Sequence, residues 1–183
     1  MAVVAIPDEY QILRDTETIA SYLAGIGVDY QRWQLSQIVS PEAEEDEILT
    51  AYADDIEALK ASGDYGNVNV VGVNAQTPGL EEILAGAGRE HWHEESEARL
   101  ILQGRGIFYI RPRQGPVVAI EVVAGDLIRI PLSIWHWFNL GSERLLRAIR
   151  FFGDPTLWAP HYTESGIERR YQTFDLSTAC SPE

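Results

Sequence analysis

The sequence predicts a mainly β protein, a sandwich or barrel of short strands preceded by a few α-helices. From Gly88 to Phe152, short apolar runs follow one another at roughly regular spacing, with Gly and Pro residues between them. This pattern is typical of sandwiches and barrels. Before Gly88, apolar residues recur at helical spacing. Strands and helices do not alternate in the manner of a parallel α/β fold, and no glycine-rich phosphate-binding motif or internal repeat is present.

The first 35 residues predict an extended arm, a helix and a strand. Residues 1–14 favour an edge strand or arm that is broken at Pro7. Thr16 can cap a helix that ends near Gly25. Residues 28–35 then predict a strand, since they include β-branched and aromatic side chains. The apolar face of the helix is formed by Ile19, Tyr22, Leu23 and Ile26.

Residues 40–88 predict two helices on either side of a strand. Ser40 and Pro41 suit the cap and first position of a helix, and the acidic residues after them complement its dipole. A strand is expected at 67–74 and a short helix at 78–85. The buried stripe of the first of these helices consists of Ile48, Ala51, Tyr52, Ile56 and Leu59.

Six short strands are predicted after Gly88. Gly104 and Gly106 are expected to form a turn between the first two, and Pro131 to end the fourth. The predicted ranges are 99–103, 107–111, 117–123, 127–130, 135–140 and 145–152.

The length of the chain, 183 residues, suits one domain with a sizeable core. We expect this domain to span residues 1–183. Within it, the predictions give an N-terminal α/β extension at 1–88, a metal-binding barrel at 89–160 and a C-terminal tail at 161–183.

The net charge and the cysteine content limit the possible partners and the cellular compartment. The formal net charge of -14 argues against nucleic acid and anionic membrane as partners, because both repel an acidic protein. One cysteine, Cys180, allows no disulfide within the chain, which fits a reducing cytoplasm. The N-terminus lacks the basic segment of a signal peptide, and no apolar run is long enough to span a membrane. A cytoplasmic protein is therefore expected. We also expect a monomer.

A possible metal site lies in the segment EHWHEESEAR, residues 90–99. His91 and His93 are two residues apart, so an extended chain points both imidazoles to one side, and Glu97 follows soon after. Two imidazoles and a carboxylate suit a divalent first-row metal. His136, between two tryptophans on a predicted strand, is a candidate fourth ligand. The alternatives are an acidic surface turn with solvated histidines and, for His136, a packed core histidine.

This motif, with six further residues before Gly104, resembles the first conserved motif of the cupin superfamily. Gly125, Pro131 and His136 together resemble the second motif. The resemblance implies a double-stranded β-helix, which is a jelly-roll barrel, with a few N-terminal α-helices.

A narrower resemblance covers roughly residues 5–171. The segments EHWHEESEAR, HWFNLGSE and AIRFFGDPTLW, with GVDYQRW and GDLIRIP, are similar to bacterial acireductone dioxygenases. At Ala87 the chain departs from the family, whose members carry an aromatic residue near the substrate. The implied metal ligands are His91, His93, Glu97 and His136. The implied substrate contacts are Arg99 and Arg150, and the implied pocket walls are Phe138 and Trp158.

The resemblance also implies a reaction in methionine salvage. Acireductone, an ene-diol with an adjacent ketone, would be cleaved by O2 with one Fe(2+) or Ni(2+) ion per chain. The iron form would yield formate and 4-methylthio-2-oxobutanoate, and the nickel form formate, carbon monoxide and 3-(methylthio)propanoate. Two alternatives use the same ligands: another cupin enzyme, such as a sugar isomerase or a different dioxygenase, and a cupin that binds a ligand without catalysis.

Overall fold

The secondary structure confirms the mainly β prediction. A computed structural model describes residues 1–40, 42–63, 65–157 and 159–171. The helices are α1 (Thr16–Gly25), α2 (Glu45–Ala51), α3 (Ala53–Ala61) and α4 (Leu80–Ala87). The strands are β1 (Val3–Ile6), β2 (Gln11–Leu13), β3 (Asp29–Arg32), β4 (Asn67–Val73), β5 (His91–Trp92), β6 (Glu97–Arg111), β7 (Val118–Val123), β8 (Asp126–Ile130), β9 (Trp135–Leu140), β10 (Leu146–Phe152) and β11 (His161–Tyr162).

The long strand β6 joins the two halves of the sheet. Its first half pairs with β8 and β10, and its second half pairs with β7 and β9, always antiparallel. Outward from these, β10 pairs with β4, β8 with β3, β7 with β1, and β9 with β5. Along the described residues the sheet does not close into a complete ring.

The prediction of two strands separated by a turn at Gly104 was wrong, because β6 is continuous over 15 residues. Gly104 adopts a φ of 77°, which L side chains disfavour, and the register with β10 shifts beside it. A Cβ at Gly104 would overlap the carbonyl oxygen of Leu145. The bulge lies at Leu102, two residues before the glycine, and bends the strand between its two halves, and the pairing continues past both residues.

Alternate residues of the strands face two different cores. Phe108 and Phe138 point into the main core, where their rings lie 5.0 Å apart. Tyr109 and Trp137, the next residues along the same strands, stack on the outer face with ring centroids also 5.0 Å apart. This period of two follows from the pleat of a strand. It places His136, adjacent to Trp137, on the inner side.

Two of the helices that precede β5, α2 and α3, cover the other outer face of the sheet. The predicted stripe is correct in that Ile48, Tyr52, Ile56 and Leu59 are buried, and they pack against apolar residues of β6 and β10. The single helix predicted after Ser40 was wrong, since α2 begins only at Glu45 and α3 follows a break at Tyr52. The Glu47 carboxylate accepts the Glu44 N–H and so starts α2. The helices thus protect a sheet face.

Two other details differ from the predictions. The cap of α1 is Asp15 rather than Thr16, and its carboxylate accepts the Thr18 N–H at 2.9 Å. The predicted tail from residue 161 begins with β11, which pairs with β5. Within the described residues, no helix has the length and apolar character needed to cross a membrane.

Candidate metal centre

Three buried histidines, His91, His93 and His136, form a metal-binding site on the inner side of the sheet. One nitrogen from each ring lies within 4.8 Å of the other two. The fold brings them together because β5 pairs with β9 at a single position, His91 opposite His136. His93 follows two residues after His91. The ring centroids of His91 and His136 are 4.5 Å apart.

Backbone carbonyls orient two of these rings. Nδ1 of His91 lies 2.7 Å from the Arg89 oxygen, and Nδ1 of His136 lies 2.9 Å from the Ile134 oxygen. A carbonyl can only accept, so each Nδ1 carries the proton and each Nε2 keeps a free lone pair. Burial lowers the pKa of His136 to about 4 and also lowers the pKa of His91. Both rings are therefore neutral at pH 7, as a metal ligand must be.

Glu97 lies beside the histidines at the start of β6 and is 2% exposed. Its Oε2 accepts from Nε and Nη2 of Arg99, each at 3.2 Å. Burial would raise the pKa of Glu97, but the Arg99 guanidinium and the His136 imidazole lower it by more. The side chain is therefore a carboxylate.

The other carboxylate oxygen of Glu97 is free to bind a cation. Oε1 is 3.7 Å from Nε2 of His136, too long for a hydrogen bond, and has no hydrogen-bond partner among the described residues. A buried anionic oxygen without a partner is costly. A divalent cation held between Glu97 and the three imidazoles would satisfy it, so the residues present fit a metal ion.

A cavity of about 180 Å³ opens onto these four side chains. Arg99, predicted to face the substrate, and Phe138, predicted to wall the pocket, both line it. A Cβ at Gly106 would overlap the Phe138 ring, so the glycine makes room for that ring. The remaining lining comes from Gly86, Ala87, Phe108, Pro160 and Tyr162.

Two of the predicted site residues, Arg150 and Trp158, are not among the described residues that line the cavity. Arg150 lies opposite Arg99 on the neighbouring strand β10 and donates from Nε to Asn69 Oδ1 at 3.0 Å. Of the two arginines predicted to contact the substrate, only Arg99 lines the cavity. Burial lowers the pKa of Arg150, and the nearby Arg99 adds to this effect. Trp158 lies outside the described residues.

Tyr162 is a cavity residue that the sequence analysis missed. Its ring meets that of His91 edge-on at 5.9 Å and is covered on one side by the Arg89 guanidinium at 3.9 Å. It reaches the site only because β11 pairs with β5, with Tyr162 opposite His91. A two-residue strand in a polar segment carries no periodic signal, and hence the sequence could not reveal this placement.

A larger cavity, of about 400 Å³, lies on the other face of β9. Its walls include Trp137 and Asn139, the residues that alternate with His136 and Phe138 along that strand. None of the three clustered histidines lines it. Cavity volume alone therefore does not identify the functional site. The buried imidazoles and carboxylate that converge on the smaller cavity make it the candidate site.

Comparisons with a family model and with individual relatives indicate the same family. A family model described as the ARD/ARD' family matches residues 8–160. The chain is 39% identical over 161 residues to an acireductone dioxygenase of Methylococcus capsulatus, covering 88% of this chain and 86% of that protein. It is 38% identical to one from Xanthomonas campestris pv. campestris, with 88% and 85% covered.

Among solved structures, the chain resembles an acireductone dioxygenase from Bacillus anthracis with a cadmium ion in its active centre. The TM-score is 0.81 at 29% sequence identity, and the match covers 88% of this chain and 98% of that one. The double-stranded β-helix expected from the cupin resemblance is therefore the fold of this chain.

Proposed function

Because the chain belongs to the ARD/ARD' family, we propose that it is a metal-dependent dioxygenase that cleaves acireductone, 1,2-dihydroxy-5-(methylthio)pent-1-en-3-one, with O2. This reaction belongs to methionine salvage. The observation that carries the proposal is the buried set of three imidazoles and one carboxylate beside an arginine, in a chain that matches the family over most of its length. This arrangement suits an anionic, oxygen-rich substrate.

His91, His93, His136 and Glu97 would hold one divalent ion. When bound, the ion supplies Lewis acidity and a template for the substrate oxygens. Neutral imidazoles and a carboxylate are compatible with iron(II) or nickel(II), because affinity along the divalent series does not select iron over nickel. With iron(II) the proposed products are formate and 4-methylthio-2-oxobutanoate. With nickel(II) they are formate, carbon monoxide and 3-(methylthio)propanoate.

The two arginines would stabilise the anionic substrate from adjacent strands. Arg99 lines the cavity and has a fixed guanidinium, since Nε and Nη2 are bonded to Glu97. Its remaining N–H groups can donate to an enediolate oxygen. Arg150, opposite Arg99 in the β6–β10 pairing, would add a second positive charge next to that of Arg99. In a partly buried site such fixed donors act more strongly than they would in water.

Apolar side chains would keep water away from the reacting atoms. The rings of Phe108 and Phe138 close one side of the cavity. Trp158 is proposed as a further wall on the basis of the family resemblance. Exclusion of water strengthens the interaction of Arg99 with the substrate and limits side reactions.

The test is aerobic turnover of synthetic acireductone by protein reconstituted with iron(II) or nickel(II). We expect consumption well above the spontaneous rate, with formate and 2-oxo acid from one form and carbon monoxide from the other. His93→Ala should lose metal and activity together. His161→Ala is the matched control, because this fourth histidine pairs with Glu94 outside the cluster. Consumption at the spontaneous rate with metal bound would show that another cupin substrate must be sought.

A further inference from the structure

A second, apolar cavity adjoins the metal cavity. It also measures about 180 Å³. The two cavities share three wall residues, Ala87, Arg99 and Phe138, and therefore lie side by side. The rest of the second cavity is lined by residues of β4, α4 and β10: Val71, Gly72, Val73, Ile83, Leu84 and Leu146. Arg99 is its one charged wall residue among those that the structure describes.

Two of the three shared residues are held in place. Arg99 is bonded through two nitrogens to the buried Glu97. The Phe138 ring sits over Gly106 and against Phe108, so it has little room to rotate. The third, Ala87, contributes only a methyl group at the end of α4. Ala87 is therefore the smallest side chain in the wall that the two cavities share.

Building on the proposed function, we propose that Ala87 determines substrate specificity by joining the apolar cavity to the metal cavity. The ene-diol head lies among the metal ligands and Arg99, and the apolar tail passes Ala87 into the second cavity. The rim of that cavity is partly open, since Ile83, one turn before Ala87, is 47% exposed. The chain therefore accepts ene-diols with apolar tails longer than a methylthioethyl group.

The chemistry of the walls supports this division. An enediolate needs donors and a cation, which only the metal cavity offers. An alkyl or thioether tail gains about fourfold in affinity for each methylene group that it buries, and the second cavity offers the aliphatic surface for this. A bulky side chain at position 87 would separate the two cavities and remove that gain.

The proposal is tested with ene-diols that share one head and carry unbranched alkyl tails of two to eight carbons. The measured quantity is the ratio of kcat/KM for the longest and the shortest tail. We expect Ala87→Phe to lower this ratio at least tenfold relative to the unchanged chain. The control is Ala85→Phe, the same substitution on the exposed side of α4. Equal ratios in all three proteins would overturn the proposal.

A binding experiment separates this proposal from the proposed function. The probes are straight-chain carboxylates from butanoate to decanoate, whose dissociation constants are measured by calorimetry on metal-free protein. Affinity should rise with chain length in the unchanged protein and in Ala85→Phe, and should level off early in Ala87→Phe. If no ene-diol is consumed but this difference appears, the reaction is wrong and the tail site stands. If ene-diols are consumed and affinity is independent of length, the tail site is wrong.

Discussion

At the residue scale, the pair Glu97 and Arg99 links metal binding to substrate binding. The two residues are separated by one position on β6, so both side chains point into the cavity. One carboxylate oxygen accepts two N–H groups from Arg99, and the other faces His136. The arginine thus sets the orientation of the carboxylate, and the carboxylate fixes the guanidinium.

Glu97→Gln should weaken metal binding by at least about 10- to 100-fold, which is the loss typical of removing an outer partner of a ligand, while the fold is kept. The amide has nearly the same shape as the carboxylate but no negative charge for the cation. The measurement is the dissociation constant for iron(II) or nickel(II). Glu94→Gln is the control, because Glu94 lies in the same loop and pairs with His161. Equal affinities in the two variants would show that Glu97 is not a ligand.

Arg99→Ala should retain metal at saturating concentration but reduce kcat/KM by about 100-fold or more, because a charged donor to the substrate is lost. Metal content and kcat/KM are measured on the same preparation. Arg113→Ala, at an exposed loop position, serves as the control. Normal turnover in Arg99→Ala would contradict a role of Arg99 in binding the substrate.

At the element scale, the bend of β6 allows one strand to build two sides of the site. Its first half carries Glu97 and Arg99 between β8 and β10. Its second half carries Gly106 and Phe108 between β7 and β9. Because β9 also holds His136 and Phe138, the bend sets the distance between the charged part of the cavity and its aromatic wall.

Gly106→Ala should displace the Phe138 ring into the cavity. The added methyl would overlap that ring, and overpacking of this kind costs ~1–3 kcal/mol of stability. We expect a lower free energy of unfolding and a lower kcat/KM. Gly25→Ala is the control, since a Cβ there meets nothing within 4 Å and the position lies in α1. That variant should be neutral or stabilised by up to ~1 kcal/mol.

At the scale of the whole molecule, the site is a buried polar region that the rest of the fold must support. Three imidazoles and a carboxylate are buried together. The apolar clusters on both faces of the sheet, together with α2 and α3, supply the stability that such burial requires. Metal-free protein should therefore be sensitive to conditions that charge the histidines.

Metal-free protein should lose stability as the pH falls from about 6.5 to about 4. The folded-state pKa of His136 is lowered to about 4 by burial, against 6.5 for the free side chain. Between these values the unfolded chain binds a proton that the folded chain does not, so acid favours unfolding, by roughly 3 kcal/mol from His136 over the whole pH window. His91 acts in the same direction. Denaturant unfolding at pH 7 and pH 5 measures the effect, and identical free energies would contradict it.

The sequence by itself determined the mainly β fold class and a possible metal site at His91, His93 and Glu97. These depend on local signals, namely strand periodicity, turn residues and a His-x-His-x-x-x-Glu motif within one segment of chain. His136 was only a candidate on its strand, and its assignment as a further ligand, like that of the arginines as substrate contacts, followed only from the family resemblance. The sequence also predicted the helical stripe from Ile48 to Leu59, although it missed the break at Tyr52.

Only the tertiary structure decided which distant residues share the cavity. Tyr162 lines the cavity because β11 pairs with β5. Arg150 lies opposite Arg99 on β10 and does not line the cavity. Ala87 lines both cavities. Gly104, interpreted from the sequence as a turn, lies within a continuous strand, two residues after a bulge at Leu102. The physical reason is that strand pairing and cavity shape depend on contacts between residues far apart in the chain. Local periodicity does not specify those contacts.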